Sequence, residues 1–148
     1  MSKKLVLLAC AVAALSTAAF TAQADETNPN IVHRQSIYKI AAGHMGNLKA
    51  ALFLKGGTEN LVWDAEGIVD AFKHMGNAYP EGSDKGETKA KSNIWTERAK
   101  FDEAGKKAFG AAVALVEVTK TGDAAKSVDA FKALGAACKA CHEDFKKD

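Results

Sequence analysis

Cys138, Cys141 and His142 stand in the pattern C-x-x-C-H, written out as Cys138-Lys139-Ala140-Cys141-His142. On a helix, positions three and four apart share a face, so both thiols and the imidazole would point the same way. Covalent haem attachment needs that arrangement. Two thiols can add across the two vinyl groups of a haem, and the imidazole beside the second thioether then sits under the iron as its proximal ligand. Three other chemistries compete for these cysteines. A redox pair of thioredoxin type usually opens a helix, where the dipole lowers the thiol pKa; this pair falls at the far end of a helical stretch, with no βαβ pattern before it. A structural zinc site needs four ligands, and no second C-x-x-C or H-x-x-H occurs. A plain disulfide stays open as the remaining rival.

No methionine follows His142, so a sixth iron ligand would come from upstream. Met45, Met75, His33, His44, His74 and Tyr38 are the candidates. Met45 and Met75 fall on inner helical faces and read as core. The three histidines read as surface or helix-end residues. Arg34 and Tyr38 lie one turn apart on an inward stripe. An arginine on such a stripe calls for an anion, and a haem propionate can pair with it bidentately. Trp63 and Trp95 read as core or interface aromatics.

The elements that must position these groups are helical. Prolines are confined to Pro29 and Pro80, and apolar residues recur at three- and four-residue steps in four stretches. The first spans about residues 27–54, with Ile31, Arg34, Tyr38, Ala41, Met45, Leu48 and Leu52 inward; its outer face shows no large apolar patch. The second spans about 60–77, with Asn60 as its cap and Leu61, Ile68, Phe72 and Met75 inward. A polar loop over 78–91 follows. The third is expected as one helix over 92–121, capped by Ser92 and stopped by Gly122. Asp123 caps the fourth, which carries Val128, Phe131, Leu134, Cys138, Cys141 and Phe145 on its inner stripe. Four amphipathic helices with mostly short links predict an all-α fold, an antiparallel up-down four-helix bundle holding a covalently bound haem.

Residues 1–24 read as a cleaved secretory signal peptide. Lys3 and Lys4 precede an apolar run over 5–20, and Ala22-Gln23-Ala24 offers a small-x-small cleavage site. The run is short for a membrane span of roughly 20 residues. Residues 25–148 then form one domain. Without Lys3 and Lys4, the 20 basic residues fall to 18, against 18 acidic ones. A mature charge near zero argues against nucleic acid or a charged membrane surface as partner. No later segment could span a bilayer.

Arg34-Gln35-Ser36-Ile37-Tyr38-Lys39, Gly43-His44-Met45-Gly46, Ser92-Asn93-Ile94-Trp95 and the C-terminal C-x-x-C-H occur in that order. In this the chain resembles the cytochrome c-prime family over essentially all of its mature length. The resemblance implies a homodimeric periplasmic bundle with one haem c per chain. Its iron would be high-spin and five-coordinate, open on the distal face to nitric oxide and carbon monoxide. It makes Cys138 and Cys141 the thioether positions, His142 the axial ligand and metal-binding residue, and Arg34 and Gln35 haem-edge contacts. It also implies that Thr88 and Lys89, in the loop before Ile94-Trp95, touch the haem. Tyr38 takes the distal place, which in low-spin relatives holds a ligating methionine; a neutral phenol with pKa near roughly 10 is a poor ligand at neutral pH. The expected roles are electron transfer, with a small redox protein as partner, and gas binding. Turnover would want a polar companion for Tyr38. The sequence points to none, so no enzymatic activity is expected. A low-spin, six-coordinate electron carrier with an internal sixth ligand is the alternative.

Overall fold

The computed structural model describes residues 28–148. The expected signal peptide lies outside the described residues. Among the described residues five helices follow one another: α1 (Pro29–Phe53), α2 (Leu61–Lys73), α3 (Asn93–Thr96), α4 (Arg98–Lys120) and α5 (Ala124–Phe145). The four long ones form the expected up-down bundle. α2 packs on α1, α4 on α2 and α5 on α4, and α1 meets α5 to close the ring.

Local chemistry sets most of the boundaries. Asn28 caps α1, its side chain accepting from the Asn30 amide at 3.0 Å, and Pro29 sits in the first turn, where a missing N–H costs nothing. Asp123 caps α5 by accepting from the Lys126 amide at 3.0 Å. Gly122, at φ 74, gives the left-handed turn between α4 and α5. Asn60 and Ser92 occupy cap positions without the expected side-chain bond.

The third predicted helix is broken. Glu97, at φ −114 and ψ 39, separates the single turn of α3 from α4. Propensity does not require the break; tertiary hydrogen bonds compensate it. The Trp95 indole donates to the Pro80 carbonyl at 2.8 Å, Arg98 Nη1 to the Tyr79 carbonyl at 3.3 Å, and Asn93 Nδ2 to the Asp144 carbonyl at 3.2 Å. The α3 turn is thereby drawn onto the 78–80 loop and the end of α5.

Two apolar clusters fill the interior. The larger centres on Leu48, Ile68, Leu115 and Leu134 from the four long helices, with Met45, Phe72 and Cys138 against it. Burying each of those aliphatic side chains contributes about 2 kcal/mol. The smaller cluster, Ala78, Tyr79, Ile94 and Phe145, closes one end of the bundle and has Cys141 packed on it. Among the described residues no helix is long and apolar enough to cross a membrane.

Several expectations about faces change. Tyr38 is 38% exposed rather than buried in the stripe, and Trp63 is 62% exposed rather than core. On the outer face of α1 two apolar side chains stand exposed among small and polar residues. Val32 and Ile40 are exposed along the line Val32, Ser36, Ile40, Gly43, Asn47.

Candidate haem site

The last turns of α5 present Cys138, Cys141 and His142. Both cysteines are free, half-buried thiols. Burial pushes both thiol pKa values up, and the Cys138 charge adds to the rise at Cys141. His142 is exposed; partial desolvation first, then the Lys146 charge, lower its pKa. A cavity of about 420 Å³ opens beside the motif, lined by Met45 of α1, by Cys138, Lys139 and His142 of α5, and by Lys146 just past its end.

Arg34 is 2% exposed. Its guanidinium is held by the loop after α2: Nη1 donates to the Ala78 carbonyl at 3.1 Å and Ser83 Oγ at 3.0 Å, Nη2 to the Ser83 carbonyl at 2.7 Å and Thr88 Oγ1 at 2.9 Å. All four partners are neutral oxygens, so the hydrogen bonds are satisfied while the buried charge has no counter-ion among the described residues. Desolvation accordingly lowers the Arg34 pKa. Gln35 Nε2 donates to the Glu87 carbonyl at 2.8 Å, a second tie from α1 to the same loop. Thr88 Oγ1 also accepts from the Ala90 amide. Lys89 contributes its backbone: its carbonyl accepts from the Lys147 amide at 2.7 Å, and Ala90 bridges Lys146, while the Lys89 side chain is exposed. The loop is thus fastened at one side to α1 and at the other to the chain just past His142.

Tyr38 has a companion that sequence reasoning missed. The Tyr79 hydroxyl donates to the Tyr38 hydroxyl at 3.2 Å. Tyr79 is buried, with the Arg34 guanidinium 4.7 Å from its ring centroid, Phe101 at 4.8 Å and Trp95 at 6.2 Å. Both phenols lie close enough to Cys141 to feel a thiolate there. Desolvation chiefly, then the neighbouring phenol, pushes the Tyr38 pKa well above its ordinary range, and desolvation raises that of Tyr79. Tyr79-Pro80 ahead of a polar loop carries no local signal of this role.

The other candidate ligands are engaged elsewhere. His33 Nε2 lies 3.1 Å from the His74 carbonyl, and His74 Nδ1 2.7 Å from the Asp70 carbonyl. His44 is half-buried rather than a surface residue. Its Nδ1 is 2.9 Å from Oδ1 of buried Asp64, which also accepts from Asn47 Nδ2 at 3.0 Å. The ring lies across Gly67, where a Cβ would collide with it. Met75 packs between the two core clusters, and Met45 borders the cavity.

This donor set fits haem: two free thiols and an imidazole on adjacent turns, a cavity at the imidazole, and a buried cation with no counter-ion among the described residues. Fold and site define the class, a helical-bundle protein carrying covalently attached haem c. A sequence profile of the family Cytochrome C' matches residues 29–146, and the chain belongs to that family. It is 33% identical over 147 residues to the cytochrome c' of Rhodospirillum rubrum, covering 98% of this chain and 99% of that one. Among solved structures it is similar to a cytochrome c' described as having an unusual ligand-controlled dimer dissociation, with TM-score 0.77 and 31% identity, covering 81% of this chain and 95% of that one. It is also similar to a ferrous variant of Alcaligenes xylosoxidans cytochrome c prime with bound NO, with TM-score 0.74 and 26% identity, covering 80% and 94%.

Proposed function

We propose that this chain works in the periplasm as a haem protein that transfers electrons and binds small gases at a five-coordinate, high-spin iron. Cys138 and Cys141 hold the cofactor, one per chain. Each thiol would add across one vinyl double bond, sulfur to one carbon and hydrogen to the other, so attachment would consume no oxidant. His142 would hold the iron through an imidazole nitrogen. When bound, haem supplies an iron that changes oxidation state by one electron and accepts a small ligand on its free face. Arg34 and Gln35 line the haem edge, and the uncompensated Arg34 charge suits a propionate. Thr88 and Lys89 complete that edge, Thr88 through its bond to Arg34 and Lys89 as an exposed cation.

The observation carrying the open-face reading is the Tyr38–Tyr79 hydroxyl pair. A phenol whose pKa is raised stays neutral at ordinary pH and leaves iron free for an added ligand. The bound NO of the Alcaligenes protein and the engaged imidazoles of His33, His44 and His74 support the same reading. Met45, on the cavity it shares with His142, favours the second reading of a six-coordinate, low-spin electron carrier.

The relative with ligand-controlled dimer dissociation supports a homodimer here. An isologous contact through α1 and α2 would bury the exposed Val32, Ile40 and Trp63. Export is tested by the mass of the mature protein, which should begin at Asp25 and carry one haem.

The deciding experiment is an optical and electron-spin spectrum of the exported protein, oxidised and reduced, with and without carbon monoxide. A high-spin spectrum that shifts with the gas supports the open face. A low-spin spectrum indifferent to the gas selects the internal ligand. Absence of any haem spectrum returns Cys138 and Cys141 to a disulfide.

A further inference from the structure

We propose that Tyr79 is a second distal residue: by donating to the Tyr38 oxygen it aims the Tyr38 proton at a ligand on the open face, favouring diatomics whose outer atom accepts a hydrogen bond. This rests on the gas-binding reading above.

A phenol hydroxyl lies near its ring plane and has two orientations for its proton. The Tyr79 hydroxyl approaches the Tyr38 oxygen to 3.2 Å. With that side taken by an incoming proton, the Tyr38 proton turns to the other. A hydroxyl that accepts a hydrogen bond also becomes a stronger donor. The direction of donation follows from the charge beside Tyr79. The Arg34 guanidinium sits 4.7 Å from its ring centroid, and a cation there withdraws electron density and strengthens the phenol as a donor. Arg34 is in turn fixed by four bonds to the 78–88 loop that carries Tyr79, and Phe101 holds the ring edge-on at 4.8 Å. Tyr79 therefore cannot swing away without disturbing the loop. Tyr38 is freer: it is 38% exposed, and its ring meets Phe72 edge-on at 6.4 Å. The buried partner sets the orientation of the more exposed one. Tyr79 acts through Tyr38, as a positioning residue.

The test is the C–O stretching frequency and the carbon monoxide dissociation rate of the ferrous protein. Tyr79→Phe keeps the ring and removes the hydroxyl. It should raise the C–O stretch and speed dissociation by about threefold to tenfold, the loss of one modest hydrogen bond. Tyr38→Phe should do the same, and the double variant should add nothing to Tyr38→Phe alone. The inference is overturned if Tyr79→Phe leaves both readouts unchanged while Tyr38→Phe moves them. It is equally overturned if the Tyr79 effect persists in full without the Tyr38 hydroxyl. The parent protein gives an independent check, since an aimed phenol proton shifts the carbonyl bands in deuterated buffer and no shift refutes it. If the parent forms no carbonyl at all, the gas-binding reading falls first and this inference with it.

Discussion

Arg34 on α1 grips Ser83, 49 residues further on, at two points: Nη1 donates to Oγ at 3.0 Å and Nη2 to the carbonyl at 2.7 Å. Ser83 is 1% exposed, so this contact decides how the loop after α2 closes over the end of the bundle. The same guanidinium reaches Thr88 and stacks on Tyr79, placing three parts of the candidate site under one side chain.

Arg34→Ala should destabilise the protein by about 2–4 kcal/mol, because the Ser83 and Ala78 oxygens lose a charged donor inside the protein. Arg34→Lys should recover only part of this, since an ammonium cannot fork to both sides of Ser83. Urea unfolding of the three proteins measures it, and a Lys variant as stable as the parent contradicts the fork.

Asp64→Ala should cost about 2–4 kcal/mol. Buried Asp64 is the shared acceptor for His44 and Asn47, and its removal strands both donors between α1 and α2. Denaturation midpoints test this, with the haem spectrum expected unchanged because His44, Asn47 and Asp64 do not line the cavity beside the cysteine motif.

Stability should fall above pH 10. Tyr38 and Tyr79 both have folded pKa values raised above the ordinary 10.0, chiefly by desolvation. Above that pH the unfolded chain releases protons that the folded chain retains, so stability is full below pH 10 and is lost as pH rises. Denaturant titrations from pH 9 to higher pH should show a shallower decline for Tyr38→Phe/Tyr79→Phe than for the parent.

Tyr38→Met should create a six-coordinate, low-spin iron. A thioether at the distal position is a good iron ligand, whereas the neutral phenol is not. Electron-spin resonance of the oxidised variant reads the change directly, and an unaltered spin state would show that residue 38 does not face the iron.

Much of this protein is legible along the chain. Cys138, Cys141 and His142 declare their chemistry because a helix places positions three and four apart on one face, whatever surrounds them. The same periodicity marked Ile31, Ile68 and Leu134 as interior, and all three are buried. Asn28 and Asp123 act through backbone amides two and three residues away, so the α1 and α5 starts are local matters too. Tertiary structure decided what periodicity does not carry: which side chains on different helices meet. Tyr79 joins Tyr38 across 41 residues. Arg34 finds Ser83 and Thr88. His44 turns from the surface to Asp64 because Gly67 leaves room for its ring. The helix expected over 92–121 breaks at Glu97 because Asn93, Trp95 and Arg98 gain partners on other segments. Period fixes the direction a side chain faces, while its partner depends on the axial register of a second helix and the path of a loop, which only the packed bundle sets.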